Sequence, residues 1–532
     1  MKHFCASALR RLAPLHNDAL RAGVTGFVEM PAQKTVSTIG YSLALLLAIP
    51  GAAAIRAGAA KSVITPDVAG RTVYLAGFGH NRIATAVHDP LYVRCLALQA
   101  SPDTVVLCSA DLIGLFYDDV QKIREMFRSQ APAGAHLIVA CTHVHEGPDT
   151  LGLWGPSAVE TGIDVHYLDW VDQQIAQTAV EAARNLRPAR IQLALDNSPL
   201  LAQLQSVDRP PYVKDPFLFV LQAVRLSDDV TIATLVNWSD HPETLNRKNT
   251  EITADYPGWI CQYLEQRYGG AALFFNGALG KVSTLGSQVA LLDPETGQVA
   301  VDGAWRKPEL LGNTIARLAE RALTVSNAEV ASLGTLIFRS SLFFLPLAND
   351  RFRMAEAAGV FAGRKPIYTD GKLDPSTVER TLEQRTVRLP SGRDLQSEVD
   401  YLQLKAGTRV VAEFVTVPGE IFPELVNGGI ARYPGADFPD APMETPLRTL
   451  LKSKYQFILG VGNDELGYII PKCEWDEHAP WLNNNPQPYY GEINSVGPDT
   501  AAVVLRTIAG LLADSNGKPK RNRSLAGTAK ER

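Results

Sequence analysis

His136-Leu137-Ile138-Val139-Ala140 runs directly into Cys141-Thr142-His143-Val144-His145-Glu146-Gly147-Pro148. The first five residues read as a buried strand, and the Gly-Pro pair closes a loop at its end, where sheet scaffolds carry their binding and catalytic groups. Thr104 to Ser109 (TVVLCS), Thr231 to Asn237 (TIATLVN), Ala271 to Phe275 (AALFF) and Val410 to Val417 (VVAEFVTV) are strands of the same kind. Between them fall helical periodicities, Asp169 to Asn185 and Tyr256 to Tyr268, the second with Pro257 in its first turn, where proline is tolerated. Strands alternating with helices predict an α/β fold, a mixed β-sheet core flanked by helices.

The chain has 532 residues, 46% of them hydrophobic and 20% charged, which is enough to bury a large core. Its formal net charge is only -5 and no basic stretch lies inside the body, so it carries no nucleic-acid footprint. Cys5, Cys95, Cys108, Cys141, Cys261 and Cys473 include no C-x-x-C pair. That argues against a cysteine zinc site and a dense disulfide framework, and the cysteines read mostly as small buried hydrophobes.

Tyr41 to Ala54 (YSLALLLAIPGAAA) has the shape of a signal peptide, too short to span a bilayer and broken by Pro50-Gly51. Met30, followed by Lys34, makes a conventional start for it, so the residues upstream read as a mis-assigned start. We therefore expect a targeting segment over 1–55, one catalytic domain over 56–514, a basic disordered tail over 515–532, and export to the periplasm or medium. Leu345 to Ser397 is charged and lacks periodicity, and reads as a substrate-side lid or a solvated connector.

Residues two apart on an extended chain share a face, so His143 and His145 can converge on one point such as a metal ion. Two histidines satisfied by backbone carbonyls would give the same pattern. Asn237-Trp238-Ser239-Asp240-His241-Pro242 repeats the design at another strand end, with Pro242 holding His241 extended. Imidazoles suit zinc, and a catalytic zinc also takes harder ligands. Val417-Pro418-Gly419-Glu420-Ile421 offers a carboxylate in an apolar turn, although Glu420 could equally cap the following segment. Gly462-Asn463-Asp464-Glu465-Leu466-Gly467-Tyr468 is a fourth such turn.

In order and spacing these segments resemble the THTHSGP, NFAxHP, PGE and ND-x-x-GY motifs of the neutral ceramidases. Ile64-Thr65-Pro66, Ser109-Ala110-Asp111-Leu112, Asp255-Tyr256-Pro257-Gly258 and Asn276-Gly277-Ala278 fill further places of that pattern, and the resemblance spans about residues 56 to 510. It implies a catalytic domain alone, without the immunoglobulin-like domain of larger members, with its metal site at strand-end loops. It also implies one Zn²⁺ per chain held by His143, His241, Glu420 and Tyr468. His145 would exchange protons with the leaving amine, Arg209 in Val207-Asp208-Arg209-Pro210 would stabilise the oxyanion, and Ser283 in Gly280-Lys281-Val282-Ser283-Thr284 would occupy the place of the family's GDVSPN serine. The implied reaction is hydrolysis of the linear amide of a ceramide-like N-acyl lipid, an amphiphilic partner met by transient contact with a membrane surface. Oligomeric state is left open.

The sequence departs from the pattern at Glu146, where the family has serine, and at Lys281 and Thr284 around Ser283. Glu146 with Asp149 reads as a receptor for a cationic or hydroxyl-bearing headgroup, as a second metal site with Asp111, or as a solvated loop face. Two rival functions compete with the zinc hydrolase of an amide or ester. A serine hydrolase built on Ser283 lacks a G-x-S-x-G elbow, and the other rival is an exported binding protein of the same fold.

Overall fold

Nine strands form the larger sheet, in the spatial order Ala271–Asn276, Thr231–Trp238, Leu218–Arg225, Arg187–Asp196, Arg56–Val63, Tyr92–Ala100, Asp103–Ala110, Ala135–Cys141, with Glu329–Ala331 added on Arg187–Asp196. The first two strands of that order pair in parallel, as do the last two, and the rest are antiparallel, so the sheet is mixed. The computed structural model describes residues 55–513 apart from 287–288, 290, 325–327, 332, 362–366, 370–371 and 374–393, and at 367–369 and 372–373 the backbone alone. The apolar run Tyr41 to Ala54, the start at Met30 and the tail 515–532 lie outside the described residues, as does much of the stretch from Leu345 to Ser397.

A second sheet of six strands is built on Thr335–Pro346, Asp394–Ala406, Arg409–Thr416 and Tyr455–Leu459, the last two parallel. Its inner face packs on the larger sheet. Leu107, Ile138, Leu221 and Phe275 meet Leu402, Phe414 and Phe457 in one core, where the rings of Phe414 and Phe457 stack 4.2 Å apart. Truncating either ring to alanine should cost roughly 3–5 kcal/mol. Tyr117–Arg128, Val165–Arg184, Asp255–Tyr268 and Arg306–Thr324 cover the outer face of the larger sheet, and Thr500–Ala513 covers that of the smaller. The architecture is four layers, helix on sheet on sheet on helix. Val165–Arg184 starts at Asp164, whose carboxylate accepts the amides of His166 and Tyr167. No helix among the described residues is long and apolar enough to cross a membrane.

Cys95 and Cys108 are directly opposed on the antiparallel strands Tyr92–Ala100 and Asp103–Ala110 and form a disulfide. Cys141, Cys261 and Cys473 are buried free thiols, as their reading as small hydrophobes requires. The C-terminal ends of Ala135–Cys141, Thr231–Trp238, Ala271–Asn276, Arg409–Thr416 and Tyr455–Leu459 gather at one end of the two-sheet core. Two asparagines tie them together. Asn276 donates to the carbonyls of Thr142 and Asp240 and accepts the amide of Asp240, while Asn237 exchanges hydrogen bonds with the backbone of Ile458 on the other sheet.

Candidate metal centre

Four of these strand ends each deliver one side chain to a common point. His143 follows Ala135–Cys141 and holds a left-handed backbone, φ 67°, a conformation costly for a histidine and typical of functional sites. Its Nδ1 sits 2.7 Å from the carbonyl of Ile113, which turns Nε2 inward. His241 is fixed in the same way, Nδ1 lying 2.6 Å from the carbonyl of Val282. Glu420 and Tyr468 are register partners in the short parallel pair Glu420–Ile421 and Tyr468–Ile469, so their side chains emerge together. Glu420 Oε2 lies 2.9 Å from His241 Nε2 and 3.6 Å from His143 Nε2, and the Tyr468 hydroxyl lies 3.4 Å from His241 Nε2. All four residues are buried.

Two imidazoles, a carboxylate and a phenol aimed at one point make a donor set suited to zinc. The backbone carbonyls behind the imidazoles fix tautomer and ring orientation, as the outer shell of a metal site does. Electrostatics agrees. Burial lowers His143 to about 4. It acts in the same direction on His241, but the hydrogen bond and charge of Glu420 outweigh it and raise His241 to about 9. Beside Glu420 one positive charge is favoured, on His241, and a bound cation would take the place of that proton. Burial, followed by the charge of Glu420, keeps the Tyr468 phenol well above its usual value. A dication would act on it in the opposite sense.

His145 differs from its neighbours. A ligand nitrogen of His145 lies within 4.8 Å of those of His143 and His241, yet neither of its ring nitrogens has a hydrogen-bond partner, and both are buried. It is held by its backbone instead, the amide donating to the carbonyl of Pro242 and the carbonyl accepting from Arg82. Gly77 packs against the ring, and a Cβ there would stand 2.3 Å from its Cγ in a backbone of φ 91°. Gly77→Ala is accordingly expected to displace His145, lowering kcat at least about tenfold while metal content stays at wild type. Metal analysis and turnover on the one variant check this.

Arg209 and Ser283 line a cavity shared with His145 and His241. Arg209 Nη1 contacts both oxygens of Glu492, at 2.6 and 2.8 Å, and Nη2 donates to the carbonyl of Glu474. Its face covers the Tyr489 ring at 4.1 Å. The Ser283 hydroxyl donates to Glu243, a buried carboxylate whose other oxygen lies 3.7 Å from His145 Nδ1. Glu146 is fully buried and its carboxyl is pushed well above the usual range by burial and then by Asp255. Asp149 accepts the amides of Leu151, Gly152 and Trp154, and Asp111 is paired with Arg94 at 2.7 Å. These last two carboxylates serve the loop and the sheet rather than the space between the histidines.

Sequence reasoning passed over Glu243 and Gly77. Glu243 stands two residues after His241 on a turn, where the period-2 rule of an extended chain does not apply, and His143 itself departs from the extended backbone expected of it, with φ 67°.

No family model matches the sequence, and no curated protein matches it. Solved structures do. A crystal structure of neutral ceramidase from Pseudomonas aeruginosa superposes with a TM-score of 0.63 at 14% identity, covering 89% of this chain and 76% of that one. A structure of ceramidase complexed with C2 gives 0.62, also at 14% identity, with 89% and 77% covered. Over 89% of its length, this chain has the fold of neutral ceramidase.

Proposed function

We propose that this chain is a zinc-dependent hydrolase of N-acyl amides, with a ceramide-like lipid as its reference substrate. The observation that carries the reading is the convergence of His143, His241, Glu420 and Tyr468 with both imidazoles anchored from behind. The shared fold with neutral ceramidase supports it. His143, His241, Glu420 and Tyr468 would hold one Zn²⁺, which when bound supplies Lewis acidity and a water of pKa about 7.

The chain's own groups do the rest. Hydrolysis breaks the C–N bond, places the water's hydroxyl on the acyl carbon and its proton on the departing amine. His145 is the proton carrier, because its ring faces the reacting space and no other group holds its nitrogens. Gly77 and the Pro242 carbonyl keep it there. Arg209, clamped by Glu492, fixes one wall of the site, and its charge favours the oxyanion to the extent that Glu492 does not offset it. Ser283 orients Glu243.

The signal-like run Tyr41 to Ala54 supports export, and so does the Cys95–Cys108 disulfide, a bond that persists in oxidising compartments. The apolar cavity beside the histidines supports an amphiphilic substrate.

Release of fatty acid from N-acyl amides, assayed before and after chelation and after zinc is restored, tests the function. Activity should vanish and return with the metal. Chelator-resistant turnover would contradict it.

Metal uptake should also depend on pH in a definite sense. His241, raised to about 9, carries a proton at neutral pH that the cation must displace. Zinc affinity is expected to rise at least about tenfold per pH unit between 7 and 9, the range over which the His241 proton has to be displaced. Competition with a chromophoric chelator measures it.

A further inference from the structure

Behind each imidazole of the cluster stands an oxygen, and the oxygens are of two kinds. Nδ1 of His143 and Nδ1 of His241 each meet a backbone carbonyl, that of Ile113 and that of Val282. Nδ1 of His145 meets a carboxylate instead, Glu243, whose Oε2 lies 3.7 Å away. Among the described residues no other carboxylate is as near to this ring.

Glu243 is itself held in place. Ser283 sits on the short antiparallel pair of Val282–Ser283 with Ser206–Val207, and its hydroxyl accepts the amide of Leu285 while donating to Glu243 Oε1. A hydroxyl has one proton to give, so Oε1 is the acceptor and is fully used. The Glu243 amide donates to the His241 carbonyl, and its own carbonyl accepts from Asn246. The residue is buried and lines the same cavity as His145.

A separation of 3.7 Å is longer than a hydrogen bond, but catalytic pairs in unliganded sites are often this loose and tighten when substrate is bound. His145 is free to close it, because neither ring nitrogen has a hydrogen-bond partner. Closing it decides the tautomer. A carboxylate only accepts, so Nδ1 carries the proton and Nε2 keeps the lone pair.

We propose that Glu243 is a positioning residue for His145, accepting a hydrogen bond from Nδ1 on Oε2 so that Nε2 is the nitrogen that carries the proton of hydrolysis. No bond is made or broken at Glu243. The proton passes from the attacking water to Nε2 and from Nε2 to the departing nitrogen, and Ser283 acts one step further back as the anchor of Glu243. The inference rests on the amide-hydrolase reading above and adds the group that sets the state of its proton carrier.

The test uses the zinc-loaded protein carrying ¹⁵N-labelled histidine, with His145 assigned as the signal that His145→Ala removes. The ring should show the Nδ1–H tautomer in the wild type and a mixture of tautomers in Glu243→Ala. That variant should keep its zinc and its KM, and lose at least about tenfold in kcat on N-lauroyl sphingosine. On para-nitrophenyl laurate, whose leaving group departs without a proton, the loss should be about threefold or less. Should the variant fail to fold, the wild-type spectrum decides alone. An Nε2–H ring in the wild type, unchanged turnover of the amide in the variant, or an equal loss on amide and ester would overturn the role. Loss of zinc in the variant would do so too, because Glu243 would then back a metal ligand. All four results leave amide hydrolysis standing. Failure of the wild type to release fatty acid from the amide would overturn the amide-hydrolase reading, and this role with it.

Discussion

Replacing His241 with alanine is expected to empty the metal centre and to abolish hydrolysis while leaving a folded protein. The imidazole is the hub of the cluster, lying 2.9 Å from Glu420 and 3.4 Å from the Tyr468 hydroxyl, with its far nitrogen on the Val282 carbonyl. Its loss removes one ligand and leaves Glu420 with one imidazole, His143 at 3.6 Å. Zinc content should fall well below one per chain and turnover by about 10³ or more. The two sheets and their helices do not depend on this residue, so circular dichroism should be unchanged. Stoichiometric zinc with full activity in the variant would remove His241 from the site.

His145→Ala should behave differently, although the residue lies in the same cluster. No carbonyl orients its nitrogens, in contrast to those of His143 and His241, and its ring borders both cavities. A group that carries protons without holding the cation can be removed with zinc still bound. We expect metal content near wild type and kcat lowered by about 10²–10⁴, the range for loss of a general acid and base. Loss of the metal in this variant would make His143 and His145 a ligand pair and assign proton transfer elsewhere.

Much of this site was legible in the sequence because its parts are local. The strand Ala135–Cys141 was read as His136 to Ala140 and Thr231–Trp238 as Thr231 to Asn237, since buried strands announce themselves as short apolar runs and loops follow where those runs stop. Two helices were legible for the same reason, Asp169 to Asn185 and Tyr256 to Tyr268, whereas Tyr117–Arg128, Arg306–Thr324 and Thr500–Ala513 were not read. Val165–Arg184 begins four residues before its apolar periodicity suggests, because Asp164 caps it from outside that pattern.

What escaped was long-range. That two sheets stack face to face depends on pairings such as Thr335–Pro346 with Asp394–Ala406, and no periodicity encodes which face of a strand meets which neighbour. Cys95 and Cys108 oppose one another only through the register of a hairpin, so each could be read as a buried thiol. Gly77 matters through its missing Cβ against His145, a contact formed across 68 positions of chain, the difference of the two residue numbers. Glu243 escaped because its partner, Ser283, arrives from another strand end.

The most direct test of the account is X-ray absorption at the zinc edge on the loaded protein. The arrangement of His143, His241, Glu420 and Tyr468 predicts one zinc per chain with two imidazoles and with oxygen ligands at about 2.0–2.2 Å. Because the nitrogens of His143, His145 and His241 also lie within 4.8 Å of one another, a centre of three imidazoles is the clear competitor. Two imidazoles would uphold the division between metal ligands and proton carrier, and three would contradict it.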